Sequence, residues 1–224
     1  MLKSLRFLAW TTSLALLFGG MATWARAAEA PAGGLIGVVD MEKVSQQAEP
    51  VKNAYKELND TQERLMRNLQ ELDQYAYLSA AELREFAAIL DTPGELSQGQ
   101  KLRSGELKQL ANDREKEWQQ LAQVANPTPE QKAKMQDLAR MRNEKDTVLQ
   151  EIQKKYQATL NTKAQEILPK LSKQVDDVIA AVAKDQKLAI VLSRKVTTPT
   201  GGEEVVLYGG VDISDEIIKR LNKK

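Results

Sequence analysis

The six residues Asn126-Pro127-Thr128-Pro129-Glu130-Gln131 end one helix and start another, and their reading decides what kind of fold the chain has. Pro127 lacks an N–H and stops the helix before it. Thr128 is an N-cap residue, Pro129 suits the first helical position, and Gln131 stands three residues after the cap, as a capping box requires. Downstream, to about Lys184, an apolar face continues through Ile152, Tyr156, Leu160, Ala164, Ile167, Leu171, Val175, Val178 and Val182, with Pro169 the single interruption. At about 1.5 Å per residue such a helix is on the order of 80 Å long if straight, and no compact domain of this size encloses it.

Upstream, Ser97 to Ala125 reads as a helix carrying Leu107, Leu110, Trp118 and Leu121, weakened at its start by Gly99 and Gly105. Asp91-Thr92-Pro93-Gly94 is a break. Before it, Val51, Tyr55, Leu58, Leu65, Leu69, Leu72 and Ala76 recur at steps of three and four, with polar Gln62 at one seam position. This heptad stripe needs a partner helix. Pro50 stands at its beginning, and Ser79 with Glu82 forms a second capping box that restarts or continues the helix through Phe86 and Leu90. A reversal at Asn126 to Pro129 gives an outgoing arm of two helices and a return of one. A reversal near Asp91 to Gly94 makes the middle stretch an additional layer. The first is the arrangement expected, because the return helix then has a partner along most of its length.

The chain's two ends have a different pattern. Leu35-Ile36-Gly37-Val38-Val39 reads as a buried strand, with Asp40 capping a short helix to about Ala48. Leu188 to Leu192 and Val205 to Tyr208 read as strands separated by a polar loop with Pro199 and Gly201-Gly202. Gly209-Gly210 turns the chain, and Asp212 caps a final helix whose Ile213, Ile217, Ile218 and Leu221 share one face. The two ends must meet to make one sheet. The expected fold class is therefore α+β, mostly α, with residues 28–50 and 185–224 as a β-rich body and 51–184 as a helical arm. Three short strands make no stable domain alone. Ile36, Val38, Val206, Leu207, Ile217 and Leu221 are accordingly expected to build a body that associates with other copies.

Residues 1–27 read as a secretory signal: Lys3 and Arg6 precede the apolar run Phe7 to Phe18, and Ala25-Arg26-Ala27 supplies the cleavage pattern before Ala28. That run is shorter than the about 20 residues of a membrane span, so no stable membrane insertion is expected. The signal takes Lys3, Arg6 and Arg26 with it, which leaves 29 basic against 31 acidic residues, and so no strong field for nucleic acid. Only Trp118 and Phe86 remain of the tryptophans and phenylalanines, too few for one thick globular core.

With no histidine and no cysteine, the usual nucleophile–base pairs and zinc sites cannot be assembled, and no cofactor is expected. Asp176-Asp177 and Glu203-Glu204 are adjacent pairs whose side chains diverge, and Gly209-Gly210 has no Lys-Ser/Thr after it. An enzyme is not indicated. Contact with apolar partners falls to the large aromatics of the arm, Tyr75, Tyr77, Phe86 and Trp118. Tyr75 and Tyr77 point to different faces. Trp118 either fills the seam against Met135 and Leu138 or faces a bound protein.

Both ends resemble the Skp/OmpH family of periplasmic chaperones. At the start the similarity lies in Ile36-Gly37-Val38-Val39-Asp40-Met41, Val44 and Gln46-Gln47. At the end it lies in Ala180-Ala181-Val182-Ala183, Leu188-Ala189-Ile190-Val191-Leu192, Val206-Leu207-Tyr208-Gly209 and Asp212-Ile213-Ser214-Asp215-Glu216-Ile217-Ile218. The resemblance implies a homotrimer with a β-barrel-like body and helical tentacles, a periplasmic holdase whose partners are unfolded outer-membrane proteins. The middle is longer than in the best-known members, around Ser97 to Ala125, and the charge is balanced where theirs is basic. The other reading is a structural spacer in the envelope, which needs only stiff arms. Breaks at Pro93-Gly94 and Pro169 argue for an arm that flexes.

Overall fold

The computed structural model describes residues 34–198, 201–206 and 208–223. The signal at 1–27, Pro199 and Leu207 lie outside them. The elements are β1 (Leu35–Val39), α1 (Met41–Gln47), α2 (Glu49–Asp73), α3 (Ala80–Leu90), α4 (Gln98–Leu121), α5 (Pro129–Asp185), β2 (Leu188–Ser193), β3 (Lys195–Thr198), β4 (Gly201–Glu204), β5 (Val211–Asp212) and α6 (Ser214–Leu221). The fold is α+β and mostly helical, with the strands at the two ends and a long helix between them. Contacts divide it into a terminal unit, up to Tyr55 and from Leu168 onward, and a helical unit, Lys56–Ile167.

In the terminal unit β1 is the central strand of a parallel sheet ordered β2-β1-β5. Ile36 pairs with Ile190 and Val38 with Leu192 on one side, while Val38 pairs with Asp212 on the other. Asp40 caps α1 by accepting from the Lys43 N–H at 3.0 Å, and its own N–H donates to Ser214 Oγ at 2.8 Å. Asn222 Nδ2 donates to the Gln47 carbonyl at 3.2 Å and Asn222 Oδ1 accepts from the Glu49 N–H at 2.7 Å, so the segment of α6 is joined by hydrogen bonds to both ends of α1. Val38, Val44, Ile213, Ile217 and Leu221 are buried. Gly209 and Gly210 turn with φ of +88 and +84, and a Cβ on Gly210 would stand 2.3 Å from Val38 Cγ2, so the second glycine is required for space as well as conformation.

Three expectations for this unit are corrected. Val205 and Val206 are not in a strand: both N–H groups turn to the Arg194 carbonyl, at 2.8 and 3.4 Å, and close the base of a hairpin. That hairpin is β3 with β4, antiparallel, with Lys195 opposite Glu204. Gly201-Gly202 disguised it, because glycine reads as loop. The sheet's third strand is Val211–Asp212 instead. Asp212 lies one residue before the cap position of α6, where Ile213 stands, and accepts from the Ser214 N–H at 2.9 Å. Finally, α5 runs through Pro169 without a break. A proline forfeits one hydrogen bond to the preceding turn, and the buried residues on either side, Ala164, Leu171 and Val175, keep the helix in register.

In the helical unit α2 and α5 are antiparallel, joined by Glu57–Lys163 at 3.0 Å and Asp73–Lys145 at 2.8 Å. Leu58, Leu65, Leu69 and Leu72 of the heptad stripe are buried. The stripe stops at Asp73, because residues 74–79 leave the helix. Here the expected two-helix outgoing arm is corrected. The full capping box at Ser79 starts α3, which folds back along α2: Asn68 Nδ2 donates to the Leu90 carbonyl at 3.0 Å, while Tyr75 meets Phe86. Gly94, at φ +80, then reverses the chain into α4, whose start Ser97 and Gln100 cap with a further box. Thr128 and Gln131 exchange the third pair of cap bonds, at 2.8 and 3.3 Å. The reason for the extra layer is α3 itself. It buries Leu83, Phe86, Ala87 and Ile89, more than one neighbouring helix can cover.

Candidate functional site

In the helical unit the four aromatic candidates are gathered on or beside α3. Phe86 has no exposed surface and lies in a cluster with Leu65, Leu69 and Leu72 of α2, Leu107 of α4, and Val148, Ile152 and Tyr156 of α5. Tyr75 meets it edge-on, at 5.6 Å between ring centroids, and Lys108 Nζ stands 5.6 Å over its ring while paired to Glu71 at 2.6 Å. Tyr77 is buried in a second cluster with Leu138 and Met141, and half-buried Trp118 packs on it with centroids 6.1 Å apart. Half-buried Trp118 packs on the cluster that contains Leu138, and Met135 is not among the partners of that cluster. Tyr75 and Trp118 keep some exposed surface; Phe86 and Tyr77 have almost none.

Polar groups fix this arrangement. Glu82 accepts from the Ser79 N–H at 2.8 Å and from Arg114 Nη1 and Nη2 at 2.6 and 3.2 Å, and Arg114 also donates to the Tyr77 carbonyl at 3.1 Å. Burial works against the Glu82 anion, yet the hydrogen bonds from Arg114 and Ser79 prevail and hold its carboxyl below the usual range. Burial also pushes the Tyr77 and Tyr156 hydroxyls up. Among the described residues no group of His, Cys, Asp and Glu side chains could hold a metal ion.

In the terminal unit the association candidates separate into two sets. Val38, Ile217 and Leu221 are buried within the chain's own core, Val206 is half-buried, and Ile36 is 46% exposed. Ile36 does not stand alone. Its sheet partner Ile190 is 49% exposed, and Leu35, Val205 and Tyr208 are exposed as well. These four were missed by the sequence reading. Exposure on β1 follows position along the strand and not alternation, since Leu35 and Ile36 are both exposed while Gly37, Val38 and Val39 are all buried, and no pattern in one chain says which end of a strand is left open.

A family model described as Outer membrane protein (OmpH-like) matches residues 81–221, more than half of the chain. The chain belongs to the OmpH-like family. No curated protein and no solved structure matches it. The OmpH-like match begins in α3, runs through α4 and α5, and takes in β2 to β5 and α6. The similarity noted at Ile36 to Gln47 falls before it. The OmpH-like family is one of periplasmic chaperones that bind outer-membrane proteins. No helix of the described residues is long and apolar enough to cross a membrane.

Proposed function

We propose that this chain is an ATP-independent periplasmic holdase, which binds unfolded outer-membrane proteins and keeps them from aggregating. The observation that carries the reading is the OmpH-like match, which spans helical and strand-bearing parts of the chain alike. The signal read at 1–27 fits export to that compartment. The exposed set Leu35, Ile36, Ile190, Val205 and Tyr208 fits a body completed by other copies, as a homotrimer. Burying such side chains stabilises association by about 25 cal/mol per Å² of apolar surface. For the client, Tyr75 and Trp118 offer apolar contact from their half-buried positions.

The test is direct. Chain beginning at Ala28 is expected to be trimeric in light scattering and, at equimolar trimer, to keep a urea-diluted outer-membrane β-barrel protein in solution without nucleotide. Because acidic and basic residues nearly balance, this effect should depend weakly on salt. Aggregation that proceeds equally with and without the chain, at every ionic strength, overturns the reading. One observation favours the envelope spacer in that event: α5 passes through Pro169 unbroken, as a stiff element would.

A further inference from the structure

Burial along α2 picks out a strict seam. Within the helical unit Leu58, Thr61, Leu65, Asn68 and Leu72 are all enclosed, and they follow one another at steps of three, four, three and four. That is the inward face of a helix pairing with a repeat of seven. Two of these residues are polar: Thr61 is 7% exposed and Asn68 8%. The facing helix has the same feature. On α5 Met141, Val148, Ile152, Tyr156 and Leu160 are buried, and Lys145 stands in their row, four residues after Met141 and three before Val148, with 12% of its side chain exposed.

The apolar members of such a seam cannot fix its alignment. A slide of seven residues carries Leu58 to the place of Leu65 and Leu65 to that of Leu72, so leucine replaces leucine. The polar members can. Lys163 Nζ donates to Thr61 Oγ1 at 3.0 Å and pairs with Glu57 at the same distance. Asn68 Nδ2 donates to the Leu90 carbonyl at 3.0 Å and to Asp91 Oδ1 at 3.3 Å, and Lys155 of α5 pairs with the Asp91 carboxylate at 3.1 Å. Lys145 Nζ pairs with the Asp73 carboxylate at 2.8 Å and donates to the Asp73 carbonyl, where α2 ends. A slide takes each enclosed group away from its mate, and a polar group or charge left enclosed without one is costly.

We propose that Thr61, Asn68 and Lys145 form a register lock: they select one alignment of α2 on α5 among those the leucines accept, and through Leu90 and Asp91 they fix where the end of α3 sits on that pair. Replacing buried polar groups by apolar ones of like volume is often neutral or stabilising, so their use at seam positions points to specificity of alignment. The lock works alike in a holdase and in a spacer. It also commits the α2 seam to the chain's own α5, so a client segment cannot lie in it without displacing α5 and breaking the ties of Thr61 and Lys145.

The chain has no cysteine, so Asn59→Cys on α2 and Asn143→Cys on α5, both exposed, can carry a pair of nitroxide spin labels. Glu57 faces Lys163 and Asp73 faces Lys145, so the labels are offset along the helices, and a slide of seven residues moves one relative to the other by about 10 Å. Labelled chain is assembled with an excess of unlabelled chain, so that double electron–electron resonance reads distances within one copy. The parent is expected to give one narrow distance. Thr61→Val with Asn68→Leu should add a second, displaced distance in at least about a tenth of the molecules, with Lys145 left as the remaining tie against slipping. The urea midpoint of this variant should equal or exceed the parent's, since neither new side chain needs a partner. One distance identical to the parent's overturns the proposal, and a lowered midpoint beside it would make Thr61 and Asn68 ordinary stabilising contacts. Should the double variant fail to fold by circular dichroism, Asn68→Leu alone decides, because it keeps Thr61 on Lys163. That single variant must show the second distance in a smaller fraction, and its absence likewise removes the lock.

Discussion

The helical unit and the terminal unit bury apolar surface in contrasting ways. In the first, four helices converge on Phe86, and nearly every large apolar side chain finds cover within the same chain. In the second, α1 and α6 join on a buried core of Val38, Ile217 and Leu221, while Leu35, Ile36 and Ile190 of the adjoining strands remain open. A closed helical cluster needs no neighbour. A three-stranded sheet with exposed isoleucines invites one. The contrast predicts that damage to each unit reads out differently.

The largest effect is expected at Ile217. Ile217→Asp places a charge where no surface is exposed, at a cost of about 5 kcal/mol or more. The terminal unit should unfold while far-ultraviolet circular dichroism retains most of its helical signal and melts in a separate, later transition. A single transition for the whole variant would break the comparison. Phe86→Ala comes next, with a loss of about 3–5 kcal/mol confined to the helical unit. Light scattering should still report the same oligomer as the parent chain, and dissociation would mean that the helical cluster supports the sheet.

Glu82→Gln is a smaller perturbation, about 1–3 kcal/mol, because it weakens the fork to Arg114 while leaving the amide able to accept. The sign with pH follows from the depressed carboxyl. Its stabilisation is present above the ordinary value of 4.5 and is lost as pH falls through the lower folded value. The parent should therefore lose helical-unit stability on acidification over that window by more than the Gln variant does, in parallel urea titrations. Equal losses would exclude Glu82 as the group responsible. The smallest effect on folding belongs to Ile36→Ser with Ile190→Ser. Both side chains are about half exposed, so stability of the isolated chain should change by only about 0.5 kcal/mol. The homotrimer proposed above should nonetheless dissociate at dilutions where the parent's does not; an unchanged oligomer would place the interface elsewhere.

What the sequence disclosed depended on whether a signal was local. Ser79 with Glu82, Thr128 with Gln131, and Asp40 before Met41 are caps whose donors and acceptors lie within three residues, and each is formed as read. β1 and β2 were legible because their β-branched runs are bounded on both sides. The fold-back of α3 was not, because its cause is the number of faces that Leu83, Phe86, Ala87 and Ile89 must cover, a tertiary quantity. The β3–β4 hairpin was hidden by Gly201-Gly202, whose pairing is carried by the backbone and not by side-chain preference. For the same reason Phe86 looked available to a partner when it is wholly enclosed.

The parallel pairing of β1 carries a consequence for how the chain is made. Its two neighbours, Leu188–Ser193 and Val211–Asp212, are synthesised some 150 residues later, so β1 leaves the ribosome long before anything exists to pair with it. The helical unit's internal contacts, by comparison, close within residues 56–167. Assembly therefore has a direction: the helices can settle while the tail is still being added, and the first strand waits, with its isoleucine and valines unprotected, until the last forty residues arrive.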